Sequence, residues 1–282
     1  MTAMLGATAN QSLQADGLHW PLVAAMPHWQ VVDFISDLHL HAGEPANFQA
    51  WQHYMEHTAA QAVFILGDLF DLWVGDDVLG TSAIDAGATR GSFEQQCVRV
   101  LQRAAARRAV FFMRGNRDFL VGEPFAGACG MQLLHDPTVL DFSGQRWLLS
   151  HGDALCLDDT DYMQFRALVR SAAWQQDFLG QPLPQRRAVA RDLRARSEAR
   201  KKSASSLGDL DTQAVIDWLD TANASVLIHG HTHRPWNHAL AGNKQRWVLS
   251  DWDAHATPPR AQVLRITAGT PARMQRLSAA RA

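Results

Sequence analysis

Five short polar clusters interrupt the apolar runs of this 282-residue chain, and each follows a segment with strand character. They contain carboxylate, amide and imidazole side chains, the common oxygen and nitrogen ligands of divalent metals. The clusters are Asp37-Leu-His39, Gly67-Asp68, Gly115-Asn116, His151-Gly-Asp153 and His231-Thr-His233. Together they predict a site for two divalent cations.

The spacing of these residues suits such a site. Asp37 and His39 are two residues apart, so on an extended segment their side chains point to the same side. Asp68 has two carboxylate oxygens and can bridge two ions, whereas Asn116 offers a neutral oxygen. The remaining expected ligands are imidazoles, namely His151, His231 and His233. Because none of these clusters supplies a cysteine ligand, a structural zinc site is disfavoured.

A pair of metals predicts hydrolysis at phosphorus. Two ions about 3.5–4 Å apart can hold both the attacking and the leaving oxygen of an in-line displacement, and they acidify water. Taken singly, Gly-Asp and Gly-Asn are common turn dipeptides. Their joint occurrence after successive strands favours a dinuclear metallohydrolase. His229 lies inside its apolar run and is interpreted as a packing residue.

Alternating strands and helices must position the first three clusters. Strands are predicted at 30–36, 62–66 and 109–113, and helices at 48–62 and 93–108. This βαβ order predicts a parallel sheet, in which ligands gather at the carboxyl ends of the strands.

Later short strands, at about 131–150, 225–229, 246–250 and 261–266, predict a second sheet packed on the first. The expected fold is therefore α/β, with two packed mixed β-sheets flanked by helices. Residues 29–156 and 208–282 form its core. Residues 157–207 form an inserted, strongly basic helical cap, with its best helices at 161–173 and 184–203. Residues 1–28 are expected to be an extension, partly disordered.

Composition excludes some classes of protein. No stretch approaches the roughly 20 apolar residues of a membrane span, and three scattered cysteines imply a reducing compartment rather than a disulfide framework. The first 89 residues carry ten acids and no Lys or Arg, whereas all 26 basic residues follow, against 18 acids. The acidic part suits cation binding, and the basic part could receive an anionic substrate or surface.

The clusters resemble the five motif blocks of the calcineurin-like metallophosphoesterases. That resemblance implies one metal held by Asp37, His39, Asp68 and His233, and a second held by Asp68, Asn116, His151 and His231. In most of that family a histidine follows the Asn of the third block and protonates the leaving group. Here Arg117 takes that place. Arginine stays charged, so it can brace phosphate oxygens but cannot shuttle protons.

More specific motifs, Gly115-Asn-Arg-Asp-Phe119 and Trp73-Val-Gly-Asp-Asp77, resemble one branch of the family. Its members hydrolyse the pyrophosphate of UDP-2,3-diacylglucosamine in lipid A biosynthesis. The resemblance covers about 31–267. It implies attack of metal-activated water on the UMP phosphorus, giving UMP and the acylated sugar 1-phosphate, with two Mn²⁺ ions as cofactor. Arg117, Asp68 and Asn116 would be catalytic.

The same resemblance implies the substrate contacts. The cap would hold the two acyl chains of the lipid and carry most of the remaining contact residues. The expected substrate-binding residues are Asn116, Arg117, Asp159, Tyr162, Phe165, Ser197, Arg200, Lys201 and His231. The resemblance weakens after Ser197, because the family has an Asn and a Lys shortly after this Ser, whereas Arg200, Lys201 and Lys202 occupy the stretch here and leave the alignment open.

A lipid substrate implies peripheral attachment to the cytoplasmic face of the inner membrane of a Gram-negative bacterium, through the basic cap. We expect no nucleic-acid partner and no obligate protein partner. Two alternatives stay open at this point. One is another dinuclear-metal phosphoesterase that acts on soluble nucleotides, and the other is a non-catalytic scaffold with the same fold.

Overall fold

The fold consists of two six-stranded sheets packed face to face. It is seen in a computed structural model that describes residues 20–80, 91–203 and 208–282. The first sheet has the order β12-β11-β2-β3-β4-β5. Its strands are β2 (Val31–Ile35), β3 (Ala62–Leu66), β4 (Ala109–Met113), β5 (Gln132–Leu134), β11 (Gln262–Thr267) and β12 (Arg273–Ser278). Strands β2 to β5 are parallel, and β11 and β12 run antiparallel to their neighbours.

The second sheet has the order β1-β6-β7-β8-β10-β9 and mixes parallel with antiparallel pairs. Its strands are β1 (Leu22–Ala24), β6 (Thr138–Phe142), β7 (Gln145–Ser150), β8 (Val226–His229), β9 (Asn237–Leu240) and β10 (Lys244–Val248). The predicted pair of packed mixed sheets is confirmed.

Helices cover the outer faces of both sheets and form the cap. They are α1 (Pro45–His57), α2 (Phe93–Ala105), α3 (Glu123–Cys129), α4 (Thr160–Val169), α5 (Ala172–Leu179), α6 (Leu183–Ser203) and α7 (Thr212–Thr221). Helices α1 to α3 share an apolar cluster with the outer face of the first sheet, and α7 shares one with the second. Within the described residues, no helix is long and apolar enough to cross a bilayer.

Strand alternation explains how one sheet serves two apolar layers. In β2, Phe34 points into the core between the sheets, and the next residue, Ile35, points towards the helices. Phe34 stacks on Phe64 with ring centroids 5.2 Å apart, and Phe64 stacks on Phe111 at 4.6 Å. Because these strands are buried on both faces, their sequences are nearly continuous apolar runs. This packing fixes the strand ends that carry the polar clusters.

The boundary expected near residue 29 is wrong. Strand β1 lies within the predicted 1–28 extension and pairs in parallel with β6. Trp29 is buried between the sheets, with edge contacts to Phe64 and Phe111. The core therefore begins by Leu22. The remainder of the predicted extension, residues 1–19, lies outside the described residues.

The helical insertion is anchored on the segment between β3 and α2. Arg186 of α6 is buried and donates from Nη1 to Asp77 Oδ1 at 2.8 Å. The same guanidinium binds the backbone oxygen of Val74. Phe178 of α5 and Ala190 of α6 join the apolar cluster beneath the cap. These contacts seat the cap beside the strand ends of the first sheet.

Candidate metal centre

The predicted ligands converge on one edge of the sandwich. Asp37 and His39 follow β2, Asp68 follows β3, and Asn116 follows β4. In the second sheet, His151 follows β7, while His231 and His233 follow β8. Strands β2, β3 and β4 are parallel to one another in the first sheet, so their carboxyl ends share one edge. Strands β7 and β8 are parallel to each other in the second sheet, and the ligand distances given below show that their carboxyl ends lie beside that edge. Residues up to 196 apart in sequence are thereby brought together.

The first group consists of Asp37, His39 and His233, whose candidate ligand atoms all lie within 4.8 Å of one another. His233 Nε2 is 3.3 Å from Asp37 Oδ1, and 3.2 Å from His39 Nε2. Two imidazole nitrogens and a carboxylate oxygen thus face one point, as expected for the ligands of a single cation.

The second group consists of Asp37, Asp68 and His151. Asn116 Oδ1 lies 3.0 Å from His151 Nε2 and 2.8 Å from His231 Nδ1. Asn116 and His231 therefore belong to this side of the centre. His151 is oriented through its other nitrogen, because Nδ1 lies 2.9 Å from the backbone oxygen of Leu66.

Asp37 belongs to both groups, and Asp68 of the second group also faces His39 of the first. Asp68 Oδ2 is 3.8 Å from His39 Nδ1, and its Oδ1 is 3.8 Å from His151 Nε2. The two oxygens of one buried carboxylate thus face different groups. This is the arrangement that a bridging ligand requires.

The backbone at this edge is unusual. Asp37, His39, Asp68, His231 and His233 all have positive φ angles, between 48° and 66°. Non-glycine residues rarely adopt this left-handed conformation, which costs about 1–2 kcal/mol each. Such strain clusters at functional sites, where the surrounding structure holds it. Five of the seven predicted ligands have this left-handed conformation, which orients their side chains at the strand ends.

Close loop packing leaves no room for larger residues beside the ligands. A Cβ on Gly115 would overlap the Asp68 carboxylate, and a Cβ on Gly230 would overlap that of Asp37. The loops are also tied by Asp118, whose carboxylate accepts the backbone N–H groups of Asp68, Phe70 and Gly115. Burial, together with the Asp68 charge, raises the pKa of Asp118 to about 7.

The carboxylates and imidazoles of the centre shift one another's pKa values. Burial raises the pKa of Asp68. For Asp37, burial is outweighed by the charges of the neighbouring imidazoles, that of His233 first, so its pKa lies well below the usual range. Burial would lower the pKa of His151, yet the charges of Asp68, Asp153 and Asp37 raise it to about 9. The carboxylates thus create a strongly negative field that favours cations.

The residues present fit a pair of divalent metals. Asp37 Oδ1 is buried and accepts no hydrogen bond from the described residues. A buried carboxylate oxygen without a hydrogen bond is costly unless a cation meets it. The mixed oxygen and imidazole donors suit Mn²⁺, Fe²⁺ or Zn²⁺.

An apolar cavity opens beside the centre. Asn116 and Arg117 line its polar end. Aromatic and aliphatic side chains of the core and cap line the rest, including Trp73, Phe119, Tyr162, Phe165, Trp174 and Phe178. The Tyr162 ring stacks on the His231 imidazole with centroids 5.9 Å apart. The predicted contacts Tyr162 and Phe165 therefore lie where a bound apolar group would reach the metal centre.

The other predicted contacts in the cap are Asp159, Ser197, Arg200 and Lys201. Asp159 accepts the backbone N–H of Tyr162 and so caps α4. Ser197, Arg200 and Lys201 belong to the C-terminal part of α6, and their side chains lie outside the described ones.

Several acidic residues near the centre were not singled out from the sequence. Asp71 is buried and forms ion pairs with Arg117 and with Arg194 of α6. Asp251 is 3.8 Å from His233 Nδ1 and is held by Arg260. Their only sequence signal is an acid beside an apolar strand-like run, as in Leu249-Ser-Asp-Trp252.

Comparison with known proteins agrees with this geometry. The sequence profile of the calcineurin-like phosphoesterases matches residues 31–235. A Bordetella pertussis protein named UDP-2,3-diacylglucosamine hydrolase is 42% identical over 232 residues, covering 80% of this chain and 87% of its own length. A Chromohalobacter salexigens protein of the same name is 40% identical over 248 residues, covering 86% and 95%.

Among solved structures, a predicted phosphoesterase from Streptococcus pneumoniae TIGR4 is similar with a TM-score of 0.41 and 13% identity, covering 90% of this chain and 92% of that one. The extent of the profile match and the identity to the curated relatives decide the class. This chain belongs to the calcineurin-like phosphoesterase family.

Proposed function

We propose that this protein hydrolyses the pyrophosphate bond of UDP-2,3-diacylglucosamine, releasing UMP and 2,3-diacylglucosamine 1-phosphate for lipid A biosynthesis. Relatives named for this substrate share about two fifths of their residues over most of the chain. The observation that carries the proposal is the apolar cavity, because it meets the metal centre at Asn116 and Arg117. The substrate is built in the same order, because its polar pyrophosphate and sugar are followed by two apolar acyl chains.

The metal ligands are proposed from the observed groups together with the motif resemblance, which makes Asp68 the shared ligand. Asp37, His39 and His233 would hold one ion and Asn116, His151 and His231 the other, with Asp68 shared. We propose Mn²⁺ in both positions, since hard oxygen ligands combined with imidazole suit it. When bound, the two ions supply a nucleophile at neutral pH and offset the negative charge that grows at phosphorus.

Arg117 is the proposed charge-stabilising residue. Its guanidinium lines the polar end of the cavity and its side chain is 15% exposed, so it is shielded from bulk water. Asp71, 3.8 Å from Arg117 Nη1, balances its charge before substrate arrives. Preorganised charge in a shielded site is usually the largest single contribution to catalysis. Asn116 and His231 sit beside Arg117 and would orient the same phosphate.

The cap would accommodate the acyl chains. Tyr162, Phe165 and Trp174 offer an apolar lining that a soluble nucleotide does not need. Asp159, Ser197, Arg200 and Lys201 are proposed as further contacts to the sugar and phosphate, through resemblance alone.

The outer surface of the cap suggests a membrane contact. Leu168, Leu179 and Val189 are 55%, 42% and 40% exposed. They lie on α4, α5 and α6 respectively, and α6 also exposes basic residues, including Arg187 and Arg191. Exposed apolar side chains among basic ones suit an anionic bilayer surface. We therefore propose peripheral attachment to the cytoplasmic face of the inner membrane, where the lipid substrate resides.

Phosphorus-31 NMR spectroscopy of the reaction with the diacylated substrate and Mn²⁺ tests the activity directly. We expect UMP to appear, with none formed by Asp68→Ala. A deacylated analogue serves as the matched substrate, because a phosphoesterase for soluble nucleotides would process both equally well. Equal turnover of the two would refute the lipid assignment.

A further inference from the structure

A buried carboxylate outside the ligand set joins the cap to the metal centre. Asp153 lies two residues after His151, is fully buried, and belongs to a short 3₁₀ turn at Asp153–Leu155. Three side chains of α4 and its C-cap converge on its Oδ2. Tyr162 donates its hydroxyl at 2.6 Å, Arg166 donates from Nε at 2.8 Å, and Arg170 donates from Nη2 at 3.4 Å.

The same arginine reaches a second metal-site loop. Arg170 Nη2 also donates to the backbone oxygen of Gly115 at 2.9 Å. Gly115 directly precedes Asn116 and Arg117, which line the polar end of the cavity. Helix α4 is thus fastened to the loop of His151 through Asp153 and to the loop of Asn116 through Arg170.

These bonds fix the parts of α4 that face the substrate. Tyr162 gives its hydroxyl to Asp153 and stacks its ring on His231, so its position is defined at both ends. Phe165 lies in the same turn of α4 and lines the cavity. Other anchors of this helix are weak, because Val169 is its single fully buried residue. Without the ionic contacts, α4 would have little packing to hold it.

The charge of Asp153 is what makes the junction strong. Arg166 Nε and Arg170 Nη2 form ion pairs with Oδ2 of this fully buried carboxylate at 2.8 and 3.4 Å. Hydrogen bonds to an ionised partner are roughly twice as strong as neutral ones. An asparagine of the same shape would leave two arginines without their counter-charge.

We propose that Asp153 is a positioning residue that seats α4 over the metal centre and thereby shapes the pocket for the acylated substrate. This inference rests on the proposed function for its substrate, but its structural part stands independently. Asp153 would act through Tyr162 and Arg170 rather than on the reacting phosphate.

The test compares Asp153→Asn and Arg170→Gln with Asp33→Asn in the metal-loaded protein. Asp33 is a matched control, because it too is a fully buried carboxylate, bound by Arg265, Tyr54 and Thr58 away from the cap. Hydrogen exchange measured by mass spectrometry should show about ten-fold or greater loss of protection in the peptide 160–169 for Asp153→Asn and for Arg170→Gln. The same peptide should be unchanged in Asp33→Asn, and strand 62–66 should stay protected throughout.

Kinetics supply the second measurement. Asp153→Asn and Arg170→Gln should raise KM for the diacylated substrate about ten-fold with a smaller change in kcat, whereas Asp33→Asn should leave KM unchanged. If Asp153→Asn and Arg170→Gln both leave the protection of peptide 160–169 unaltered, the proposal is overturned, whatever the activity. If the wild-type protein fails to cleave the lipid, the proposed function fails, and the exchange data still decide whether Asp153 seats the helix.

Discussion

The backbone N–H of Arg117 donates a hydrogen bond to Asp68 Oδ1 at 2.8 Å. Arg117 is the residue proposed to stabilise the phosphate, and Asp68 is the carboxylate that faces both ligand groups. This hydrogen bond holds the two residues together. A change in the side chain of Arg117 leaves this backbone bond intact. The guanidinium can thus be tested separately from the architecture of the centre.

Replacing Arg117 by alanine should lower kcat about 10²-fold or more, the effect of removing one preorganised charge-stabilising group. Arg117→Lys should recover only part of this loss, since lysine lacks the planar bidentate fork. Steady-state release of UMP measures both. Arg103→Ala is the control, because Arg103 pairs with Glu56 on the surface. An Arg117→Ala enzyme within a few-fold of wild type would contradict the assignment.

Asp68→Asn should abolish activity and reduce bound metal. Asparagine keeps the shape of the side chain but provides a single neutral oxygen, so it cannot serve the two groups that the carboxylate faces at 3.8 Å each. Elemental analysis after dialysis measures metal per chain. Full metal content in this variant would show that Asp68 does not bridge.

Metal removal should both inactivate and destabilise the protein. Chelation leaves Asp37 Oδ1 buried without a hydrogen bond among the described residues, close to other like charges. A ligand that binds only the folded state stabilises it by mass action, by about 2.7 kcal/mol at a hundred-fold excess over Kd. Thermal unfolding should therefore shift upwards on addition of Mn²⁺ to chelator-treated protein. Asp68→Asn is the matching control, because Mn²⁺ should leave its thermal unfolding midpoint unchanged.

The stability contributed by Asp209 should depend on pH. Asp209 lies just after the cap, where the chain re-enters the core. Its two carboxylate oxygens accept hydrogen bonds from the Arg246 guanidinium at 2.6 and 2.9 Å. Burial opposes ionisation, but these bonds and the N–H of Leu210 lower its pKa from 3.8 to about 2. Below pH 3.8 the unfolded chain takes up the proton first, so the stabilisation is complete above about pH 4 and is lost towards pH 2.

Urea unfolding of Asp209→Asn against wild type tests this contribution. The difference in unfolding free energy should be constant near neutral pH and shrink between pH 4 and pH 2. Asp217→Asn on α7 is a suitable control, because Asp217 accepts from Gln213 rather than from an arginine. A difference that persists unchanged at pH 2 would exclude the ionic contribution.

Binding to anionic vesicles should depend on both salt and the exposed leucines of the cap. Phosphatidylglycerol vesicles should sediment the protein at low salt and release most of it at high salt, because basic residues near the surface contribute about 1 kcal/mol each. Leu168→Ser combined with Leu179→Ser should weaken binding without changing the salt dependence. Binding equal to that of neutral vesicles would refute the membrane contact.

Much of the metal centre could be predicted from local sequence. The strand ends were identifiable because apolar runs such as Ala62–Leu66 stop at Gly-Asp, and the carboxyl ends of parallel strands share an edge. The helix predicted at 48–62 begins earlier and ends at His57, because Pro45 can start a helix and Thr58 takes an extended conformation. Helix α7 was missed although Asp211 is a good N-cap.

The remaining features depend on contacts that no local pattern carries. Strand β1 has only three residues, and it is defined by its pairing with β6 more than a hundred positions away. Asp118 and Asp153 occur within recognised motifs, yet their roles arise from donors on other loops and on α4. Spacing along the chain can suggest which residues are ligands, but it cannot show what orients them.

The left-handed backbone of Asp37, His39, Asp68, His231 and His233 has an evolutionary consequence. Glycine adopts such angles without steric cost, so His39→Gly would relieve strain in the metal-free protein while removing a proposed ligand. Stabilising substitutions should therefore be available at the very positions that the reaction needs. Selection for stability alone would therefore favour glycine at these positions, and keeping the ligand side chains would trade stability for the proposed activity.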